Sequence, residues 1–234
     1  MFRPKAILMA GGKGKRLRPY TTVIPKPLMP LGDQSIIELM ISQLAKSHFD
    51  ITITVNHQSD LIRAVIGDGS KWGIPIDYSF ETKPLGTMGP LRLIENLPEK
   101  FLVMNGDILT DIDFKDLYES HDPTQHLLTV ATSRRSEKID YGILEVDDHD
   151  RLTGFREKPS YEYLVSMGIY VLSREVLHLI TPEVNFGFDN LMHALLAERA
   201  GSVRVVRHEG LWKDIGRPAD YTEAIEILEK TEKQ

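Results

Sequence analysis

Lys5-Ala-Ile-Leu-Met-Ala10 is a short apolar run, and Gly11-Gly12-Lys13-Gly14 follows it directly. An apolar run of this length that stops at glycines is typical of a buried β-strand that ends in a loop. Because ligands of open α/β sheets bind beyond the carboxyl ends of the strands, a loop in this position is also a candidate binding loop. This stretch therefore predicts the first strand of a sheet and the edge of the sheet at which a site is expected.

Strand-like and helical segments alternate through the first half of the chain. The predicted strands cover residues 51–55, 74–80 and 101–104, and the predicted helices follow the capping-box sequence Ser35-x-x-Glu38, run over residues 61–66 and cover residues 86–96. A capping box marks the start of a helix because it satisfies backbone N–H groups that the first turn leaves free. The alternation predicts an α/β fold, a doubly wound and mostly parallel Rossmann-like sheet with helices on both faces.

The second half of the chain is less regular. Strand-like segments at residues 127–132, 141–146, 152–156 and 166–172 have little helical sequence between them, so they predict a small antiparallel insertion. Helical periodicity returns at residues 191–199 and 218–230. Neither a repeat nor a linker-like tract divides the sequence, which predicts a single domain over residues 1–234.

Composition limits the classes of function. The chain has 234 residues, 28 basic and 34 acidic side chains and a formal net charge of −6, which disfavours nucleic-acid binding because that needs a basic footprint. The lack of cysteine excludes disulfides, thiolate metal sites and a cysteine nucleophile. The eight histidines show no metal-ligand spacing and predict surface or capping positions. The apolar run at residues 6–10 is too short to cross a membrane, so a cytoplasmic protein without membrane or nucleic-acid partners is expected.

The glycine-rich loop carries the densest chemical signal in the sequence. Its glycines let backbone amides approach an anion closely, and Lys13, Lys15, Arg16 and Arg18 add positive charge. These features favour a phosphate-binding loop over an ordinary glycine turn with exposed lysines. The loop is neither of two familiar types, because a P-loop requires Ser or Thr where Arg16 stands and a dinucleotide fingerprint requires glycine where Leu17 stands.

Four other segments carry charged side chains at predicted strand ends or beside prolines. Lys26 lies between two prolines, Asp107 follows the strand at residues 101–104, Lys158 precedes a proline, and Asp214 precedes a glycine turn. Taken singly, each has an ordinary interpretation as a surface turn, an Asn-Gly turn or a capping aspartate. Taken together, these cations and carboxylates fit a polyphosphate whose oxygens magnesium bridges, which favours phosphoryl or nucleotidyl transfer.

Six motifs occur in a fixed order along nearly the whole chain, namely G-G-x-G-x-R-L-x-P, P-K-P, P-L-G-T-x-G, N-G-D, E-K-P and W-x-D-I-G-x-P. In this order they closely resemble the sugar-1-phosphate nucleotidyltransferases. The resemblance implies the nucleotidyltransferase fold and attack of a sugar 1-phosphate oxygen on the α-phosphorus of a nucleoside triphosphate, which gives a nucleotide sugar and pyrophosphate. Since the sugar phosphate is already an anion, the catalytic task is to align two anions and neutralise their charge.

The resemblance also implies roles for residues at matching positions. Arg16, Lys26 and Lys158 match catalytic cations that act on the reacting phosphates, and Asp107 and Asp214 match aspartates that hold Mg²⁺, the expected cofactor. The positions that match the nucleotide site are Ala10, Gly11, Gly12, Gly14, Lys15, Arg16, Glu81, Pro84, Leu85, Gly86, Thr87 and Asp107. The positions that match the sugar-phosphate site are Lys26, Asn105, Tyr141, Gly142, Glu157, Lys158 and Gly168.

The segment from Glu81 to Pro90 indicates the substrates. It most resembles the mannose-1-phosphate guanylyltransferases and the related heptose 1-phosphate enzymes, which favours GTP and a mannose- or heptose-type 1-phosphate. Two alternatives stay open, a uridylyl- or thymidylyltransferase for a glucose- or hexosamine-type 1-phosphate, and a catalytically silent paralogue that binds nucleotide sugar. Lys15 and Met88 replace the threonine and alanine usual in the family, and Met88 is expected close to the base and ribose pocket.

Many longer members of the family carry a β-helical repeat domain after the catalytic domain. Here the sequence stops after its last predicted helix. The resemblance therefore predicts a single catalytic domain over residues 1–234 without that appendage, and a homodimer would form through the surface of this domain.

Overall fold

The computed structural model describes residues 3–12, 14–56, 58–182, 184–199 and 201–232. Lys13, whose charge is expected to contribute to the glycine loop, lies outside the described residues. The helices are α1 (Ile36–Lys46), α2 (Ser59–Ile66), α3 (Phe114–Glu119), α4 (Phe188–Glu198) and α5 (Pro218–Glu232). The strands are β1 (Lys5–Met9), β2 (Pro30–Leu31), β3 (Gln34–Ser35), β4 (Asp50–Val55), β5 (Ile76–Phe80), β6 (Lys100–Asn105), β7 (Ile108–Thr110), β8 (Leu128–Lys138), β9 (Ile143–Val146), β10 (Leu152–Arg156), β11 (Ser160–Ser173), β12 (Val203–His208) and β13 (Trp212–Asp214). Within the described residues, no helix has the length and apolar character that a membrane crossing requires.

Seven strands form one sheet in the order β12-β8-β11-β6-β1-β4-β5. Neighbouring strands are parallel except at β11, which pairs antiparallel with both β6 and β8. The predicted mostly parallel sheet is therefore confirmed. Because β6, β1 and β4 are parallel neighbours, their carboxyl ends meet at one edge, where the candidate loops were expected.

Both faces of the sheet are covered. Along β1, Ala6 and Leu8 pack into the core that contains α1, whereas Ile7 packs into the core on the opposite face with Leu191 and Leu195 of α4. All three β1 residues are completely buried, as expected for a parallel strand with helices on both sides. The doubly wound arrangement is confirmed.

The predicted capping box begins α1. The N–H and the Oγ of Ser35 both donate to Oε2 of Glu38, at 2.9 and 2.7 Å. Lys71 Nζ lies 2.6 Å from the other oxygen of Glu38, so this carboxylate is held from several sides. These hydrogen bonds and this positive charge outweigh partial burial and lower the pKa of Glu38.

The prediction of a helix over residues 86–96 is wrong. This segment contains only a 3₁₀ turn at Gly89–Leu93. Gly86 has a φ of 80°, which no α-helix contains. In a helix beginning at Gly86, Pro90 would also lack an N–H and its ring would clash with the carbonyl of the preceding turn.

Among the histidines that the structure describes, His121 departs from the expected surface or capping position. It is 1% exposed. Its Nδ1 lies 2.8 Å from Thr129 Oγ1 on β8, and its Nε2 lies 2.9 Å from Ser173 Oγ on β11. Burial, and then the positive charge of Lys100, lowers the pKa of His121 to about 4, so the imidazole is neutral at pH 7.

The predicted antiparallel insertion is confirmed. Strands β8 and β11 pair from Leu128 opposite Leu172 to Lys138 opposite Ser160, and their outer halves leave the buried sheet as an exposed ribbon. Between them lies the hairpin β9–β10. Its turn is closed by a 3.0 Å hydrogen bond from the N–H of Asp147 to the carbonyl of Arg151.

A separate pairing joins β7 to β13. These strands are antiparallel and set Asp214 opposite Ile108. The N–H of Ile215 also donates to the carbonyl of Asp107 at 2.9 Å. Two segments that are far apart in the sequence are thereby held side by side at the edge of the main sheet.

Candidate active site

The glycine loop lines an open cavity at the carboxyl edge of β1. The cavity has a volume of about 520 Å³. The loop reaches it because β1 ends at Met9, as the sequence predicts. Eight positions expected to bind the nucleotide line the cavity, namely Gly11, Gly12, Gly14, Lys15, Glu81, Pro84, Gly86 and Thr87.

Gly14 turns the loop back toward the lysine at position 26. Its backbone is left-handed, with φ 57° and ψ 28°. A β-carbon at Gly14 would lie 2.9 Å from Cγ2 of Thr21 and 3.1 Å from Cβ of Lys26. Glycine is needed here for both reasons, because a side chain would be strained and would also clash.

Glu81 is partly buried against the glycine loop. Its Oε2 accepts a 3.2 Å hydrogen bond from the N–H of Leu85, and a β-carbon at Gly11 would lie only 2.6 Å from its Oε1. Burial raises the pKa of Glu81, and the hydrogen bond from Leu85 opposes the rise. The carboxylate therefore lies at the cavity wall with limited compensation for its charge.

Four residues that line the cavity were not predicted from the sequence, namely Met9, Thr54, Asn56 and Asn185. Thr54 and Asn56 lie at the end of β4, so the strand-end argument used for the glycine loop would have found them. Asn185 follows no strand. It reaches the cavity because Phe186 donates its N–H to the carbonyl of Leu85 at 2.8 Å, which attaches this loop to the opposite wall.

Five positions expected in or close to the nucleotide site lie outside the cavity lining. Arg16 and Asp107 belong to the adjoining ionic cluster described below. Ala10 is buried and donates its N–H to the carbonyl of Thr54 at 2.9 Å. The side chain of Leu85 is buried as well. Met88, expected close to the base and ribose pocket, follows the cavity-lining Thr87 and is itself completely buried in the core with Ile7.

A cluster of four ionic side chains adjoins the glycine loop. Lys26 is 8% exposed, and its Nζ forms an ion pair with Oδ2 of Asp107. Asp214 reaches the cluster through the pairing of β13 with β7. Arg16 Nη2 and Asp214 Oδ2 would each lie 3.2 Å from a β-carbon at Gly216, so they flank the same glycine.

The charges of this cluster act on Asp214. Partial burial and then the negative charge of Asp107 raise its pKa, whereas Lys26 and Arg16 lower it. Two carboxylates that share a site repel each other, and a cation between them relieves the repulsion. Lys26 and Arg16 supply such positive charge beside the two aspartates.

The two aspartates fit Mg²⁺. This ion prefers oxygen ligands and is commonly held by one or two carboxylates together with substrate phosphates and water. Across the described parts of the chain, no three His, Asp or Glu side chains form a metal-binding group. Asp107 and Asp214 would supply two carboxylates, a number that commonly holds this ion together with oxygens from the substrate.

Asn105 and Gly168 lie against each other at the end of β6. Gly168 has a φ of 73°, and a β-carbon there would lie 2.6 Å from Nδ2 of Asn105. The glycine belongs to an irregularity of β11, whose pairing with β8 is interrupted between Ser166 and Tyr170. Both residues were expected in the sugar-phosphate site, and the structure brings them together.

Trp212 links this irregularity to the strand of Asp214. Its Nε1 donates a 3.0 Å hydrogen bond to the carbonyl of Met167. The guanidinium of Arg135 lies over its ring, 4.7 Å from the centroid. Since Trp212 and Asp214 share the short strand β13, the same strand contacts the expected sugar side and the expected metal side of the site.

The remaining sugar-site candidates lie on the insertion. Tyr141 is 78% exposed. A β-carbon at Gly142 would lie 3.2 Å from Oε2 of Glu157, so these two are adjacent, and Lys158 follows with a φ of 41°. Among the described residues, no hydrogen bond or ion pair joins these four to Lys26 or to the two aspartates. The expected sugar site therefore has two separate parts. One is at the end of β6, with Asn105 and Gly168, and the other is on the insertion.

Comparisons with known proteins agree with this architecture. The model of the nucleotidyl transferase family matches residues 5–231. Over 228 residues, the chain is 32% identical to a mannose-1-phosphate guanyltransferase of Kluyveromyces lactis, with 93% of this chain covered. Over 241 aligned positions, it is 30% identical to a UTP–glucose-1-phosphate uridylyltransferase of Synechocystis sp., with 94% covered. The chain spans 62% of the length of each of these two relatives.

The fold is shared with solved structures. HddC from Yersinia pseudotuberculosis superposes with a TM-score of 0.73 at 24% identity, over 96% of this chain and 99% of that chain. The same protein complexed with GMP-PN superposes with a TM-score of 0.71, at the same identity and over the same shares of both chains. The predicted nucleotidyltransferase fold is confirmed.

Proposed function

The chain belongs to the nucleotidyl transferase family, and from this premise we propose that it transfers the nucleotidyl group of a nucleoside triphosphate to a sugar 1-phosphate. The observation that carries the proposal is the contact, through Gly14, between the glycine-lined cavity and the ionic cluster of Lys26 and Asp107. A triphosphate needs both parts, because amides and cations neutralise its charge while carboxylates hold the bridging metal.

The proposed reaction is a single displacement at phosphorus. An oxygen of the sugar 1-phosphate forms a bond to the α-phosphorus of the triphosphate. The bond from the α-phosphorus to the bridging oxygen breaks, and pyrophosphate leaves with that electron pair. No base has to remove a proton, since the attacking oxygen is already anionic.

The cations of the chain have separate tasks in this proposal. Arg16 and Lys26 stabilise charge on the triphosphate as the bond to the leaving group lengthens. The ion pair with Asp107 orients Lys26 before substrate binds. Lys158, which lies on the insertion between β10 and β11, binds the phosphate of the sugar. The insertion therefore brings the acceptor to a donor that is held at the sheet edge.

Asp107 and Asp214 are the residues that hold Mg²⁺ in this proposal. When bound, the ion neutralises negative charge on the phosphate oxygens and holds them in a fixed arrangement. Asp107 lies in the turn after β6 and Asp214 lies on β13. The pairing of β7 with β13 keeps the two together. The sugar itself is expected to contact Asn105, Tyr141, Gly142, Glu157 and Gly168.

GTP is the favoured nucleotide. The N1–H and amino groups of guanine are donors, and Glu81 presents carboxylate oxygens at the wall of the cavity. Two comparisons support this choice, namely the 32% identity to a mannose-1-phosphate guanyltransferase and the solved complex of HddC with GMP-PN. A mannose- or heptose-type 1-phosphate is the favoured acceptor.

The second candidate is a uridylyltransferase. The 30% identity to a UTP–glucose-1-phosphate uridylyltransferase supports it almost as strongly. In that case Glu81 would contact ribose or hold only the Leu85 segment, and the acceptor would be a glucose- or hexosamine-type 1-phosphate.

One assay separates these candidates. Pyrophosphate release is measured with GTP, UTP, dTTP, CTP and ATP, each paired with mannose, glucose, N-acetylglucosamine and heptose 1-phosphates, with and without Mg²⁺. We expect release only when both substrates and Mg²⁺ are present, and most rapidly with GTP and a mannose- or heptose-type acceptor. Preference for UTP or dTTP would support the second candidate. Tight nucleotide-sugar binding without turnover in any pair would instead indicate a silent paralogue.

The assembly is also a proposal. We treat the chain as one catalytic domain, because the glycine loop, Asp107 and Asp214 come from distant segments and meet at one edge of one sheet. A homodimer stays a prediction. Light scattering after size-exclusion chromatography tests it directly.

A further inference from the structure

Thr21 joins the glycine loop to the segment of Lys26. Its side chain is 6% exposed, and its Oγ1 donates a 2.7 Å hydrogen bond to the carbonyl of Gly14. The same carbonyl accepts the N–H of Leu17 at 3.0 Å, so both of its lone pairs are used. The carbonyl of Gly14 is therefore held in one direction.

Fixing this carbonyl also fixes the next amide. In a planar trans peptide, the C=O of one residue and the N–H of the next point in opposite directions. With its carbonyl directed at Thr21, the Gly14–Lys15 peptide must direct the N–H of Lys15 away from Thr21. Gly14 and Lys15 both line the cavity.

Among the described residues, the N–H of Lys15 donates no recorded hydrogen bond. Lys15 is the first residue of the 3₁₀ turn Lys15–Leu17, and a first-turn N–H has no partner within its own turn. Because Lys15 lines the cavity of the proposed nucleotide site, its backbone amide can donate to a phosphate oxygen there. The family usually has a threonine at position 15, and its hydroxyl is missing here. The backbone amide of Lys15 is therefore a more important donor at this position.

We propose that Thr21 is a positioning residue for the nucleotide: its hydroxyl holds the Gly14–Lys15 peptide so that the N–H of Lys15 donates to a phosphate of the bound triphosphate. The inference rests on the proposed function and deepens it by assigning an amide donor and the side chain that aims it. Thr21 contacts no substrate itself. It acts through Gly14.

Three variants isolate the hydroxyl. Thr21→Val keeps the shape of the side chain and removes the donor, whereas Thr21→Ser keeps the donor and removes a methyl group. The matched control is Thr22→Val, because Thr22 is the exposed neighbour and forms no side-chain hydrogen bond among those described. Thermal unfolding of each variant reports whether the fold is retained.

The first readout is nucleotide binding. Isothermal titration with GTP and with UTP, both in MgCl₂, is expected to show about tenfold weaker binding for Thr21→Val, since about one hydrogen bond to a charged group is lost. Steady-state kinetics should show the same rise in KM for the triphosphate, with KM for the sugar 1-phosphate within twofold of wild type. Thr21→Ser and Thr22→Val should match wild type. An equal loss for both substrates, or failure of serine to restore binding, would overturn the inference.

The second readout needs no nucleotide. Trypsin cleaves after Lys15 and Arg16, so it reports how often the loop opens. We expect cleavage about fivefold faster in Thr21→Val than in wild type, and unchanged in Thr21→Ser and Thr22→Val. Unchanged cleavage in Thr21→Val would show that the hydroxyl does not hold the loop and would overturn the inference. If wild type binds neither nucleotide, the proposed function fails, and the role assigned to the Lys15 amide fails with it even where faster cleavage confirms the tether.

Discussion

At the scale of single residues, Lys26 shows how one side chain can serve the fold and the proposed reaction. It is buried, and its Nζ forms an ion pair with Asp107. A buried ammonium without a partner would be costly, so the ion pair offsets that cost and holds Lys26 in place. The prolines on both sides restrict the backbone around it. The lysine is therefore oriented toward the carboxylates before any phosphate arrives.

Replacing Lys26 by methionine tests this role. Lys26→Met removes the charge and keeps most of the side-chain volume. We expect pyrophosphate release to fall by about 100-fold or more, because a positioned cation that acts on developing charge is lost. Lys71→Met is the matched control, since Lys71 pairs with Glu38 and is 60% exposed, and its activity should stay within twofold of wild type. Near-normal activity in a folded Lys26→Met protein would contradict the role.

Glu81 provides the second prediction at this scale. Glu81→Gln replaces an acceptor-only carboxylate with an amide that also donates, which suits guanine less well. We expect kcat/KM for GTP to fall by about tenfold or more, while the value for UTP stays the same or rises. Glu95→Gln, at an exposed position beyond the same sequence motif, should change neither. Equal losses for both nucleotides would exclude Glu81 as the base-reading residue.

The pH dependence of this preference has a definite sign. Burial raises the pKa of Glu81, so its carboxyl takes up a proton at a higher pH than an exposed glutamate does. A protonated carboxyl loses acceptor capacity. The preference for GTP over UTP should therefore decline as the pH is lowered toward this raised pKa, and Glu81→Gln should show no such decline.

At the scale of elements, local sequence determined most of what could be predicted. The capping box at Ser35 begins a helix because the groups that form it lie within one turn. The glycine loop and Asp107 were placed correctly because each follows an apolar strand of a parallel sheet. The helix predicted over residues 86–96 does not form because Gly86 has a positive φ and Pro90 has no N–H to donate.

Contacts between distant segments could not be derived in this way. Asp214 meets Asp107 only because β13 pairs with β7, and nothing in the periodicity of either strand specifies that pairing. Asn185 reaches the cavity through the backbone hydrogen bond between Phe186 and Leu85, which has no sequence signature. The resemblance to a known family supplied the role of Asp214, and the fold supplies its location.

The strand β13 carries the prediction for this scale. Trp212→Phe removes the N–H that satisfies the carbonyl of Met167, and Trp72→Phe removes an equivalent 3.0 Å hydrogen bond to Ser42 on α1. Both rings also lie under a cation, Arg135 or Lys71, so the two substitutions are closely matched. Each should lower the free energy of unfolding by about 1–3 kcal/mol.

Only one of the two tryptophan variants should change substrate binding. Met167 precedes Gly168, which adjoins Asn105 in the expected sugar-phosphate site. We therefore expect Trp212→Phe to raise KM for the sugar 1-phosphate several-fold, and Trp72→Phe to leave it unchanged. Steady-state kinetics at saturating triphosphate gives the comparison. An equal effect of both variants would mean that Trp212 contributes stability alone.

At the scale of the whole molecule, the main sheet is held by two cores, and His121 bridges strands within it. The imidazole contacts hydroxyls of Thr129 on β8 and Ser173 on β11, close to where these strands pair at Leu128 and Leu172. Ser173 in turn donates to the carbonyl of His126 at 2.7 Å. Protonation of His121 would put a charge into this buried network, with Lys100 nearby, so the cost should appear in global unfolding.

The sign of the effect follows from the pKa of His121. Its folded-state pKa is about 4, below the ordinary value of 6.5, so between these pH values the unfolded chain binds more protons than the folded one. His121 therefore contributes stability that is present above pH 6.5 and is lost as the pH falls toward 4. Glu81 and Asp214, whose pKa values are raised, act in the opposite direction. Comparing proteins that all keep Glu81 and Asp214 cancels the contribution of these two residues.

Urea unfolding of wild type and His121→Gln from pH 4 to pH 7 makes that comparison. The slope of the free energy of unfolding against pH should be less positive in His121→Gln, by up to about 1.4 kcal/mol per pH unit, because one proton is no longer taken up on unfolding. His178→Gln, at an exposed histidine, should keep the wild-type slope. Since slopes are compared, the test does not depend on how much each substitution lowers stability. Identical slopes in wild type and His121→Gln would mean that the imidazole titrates normally in the folded protein.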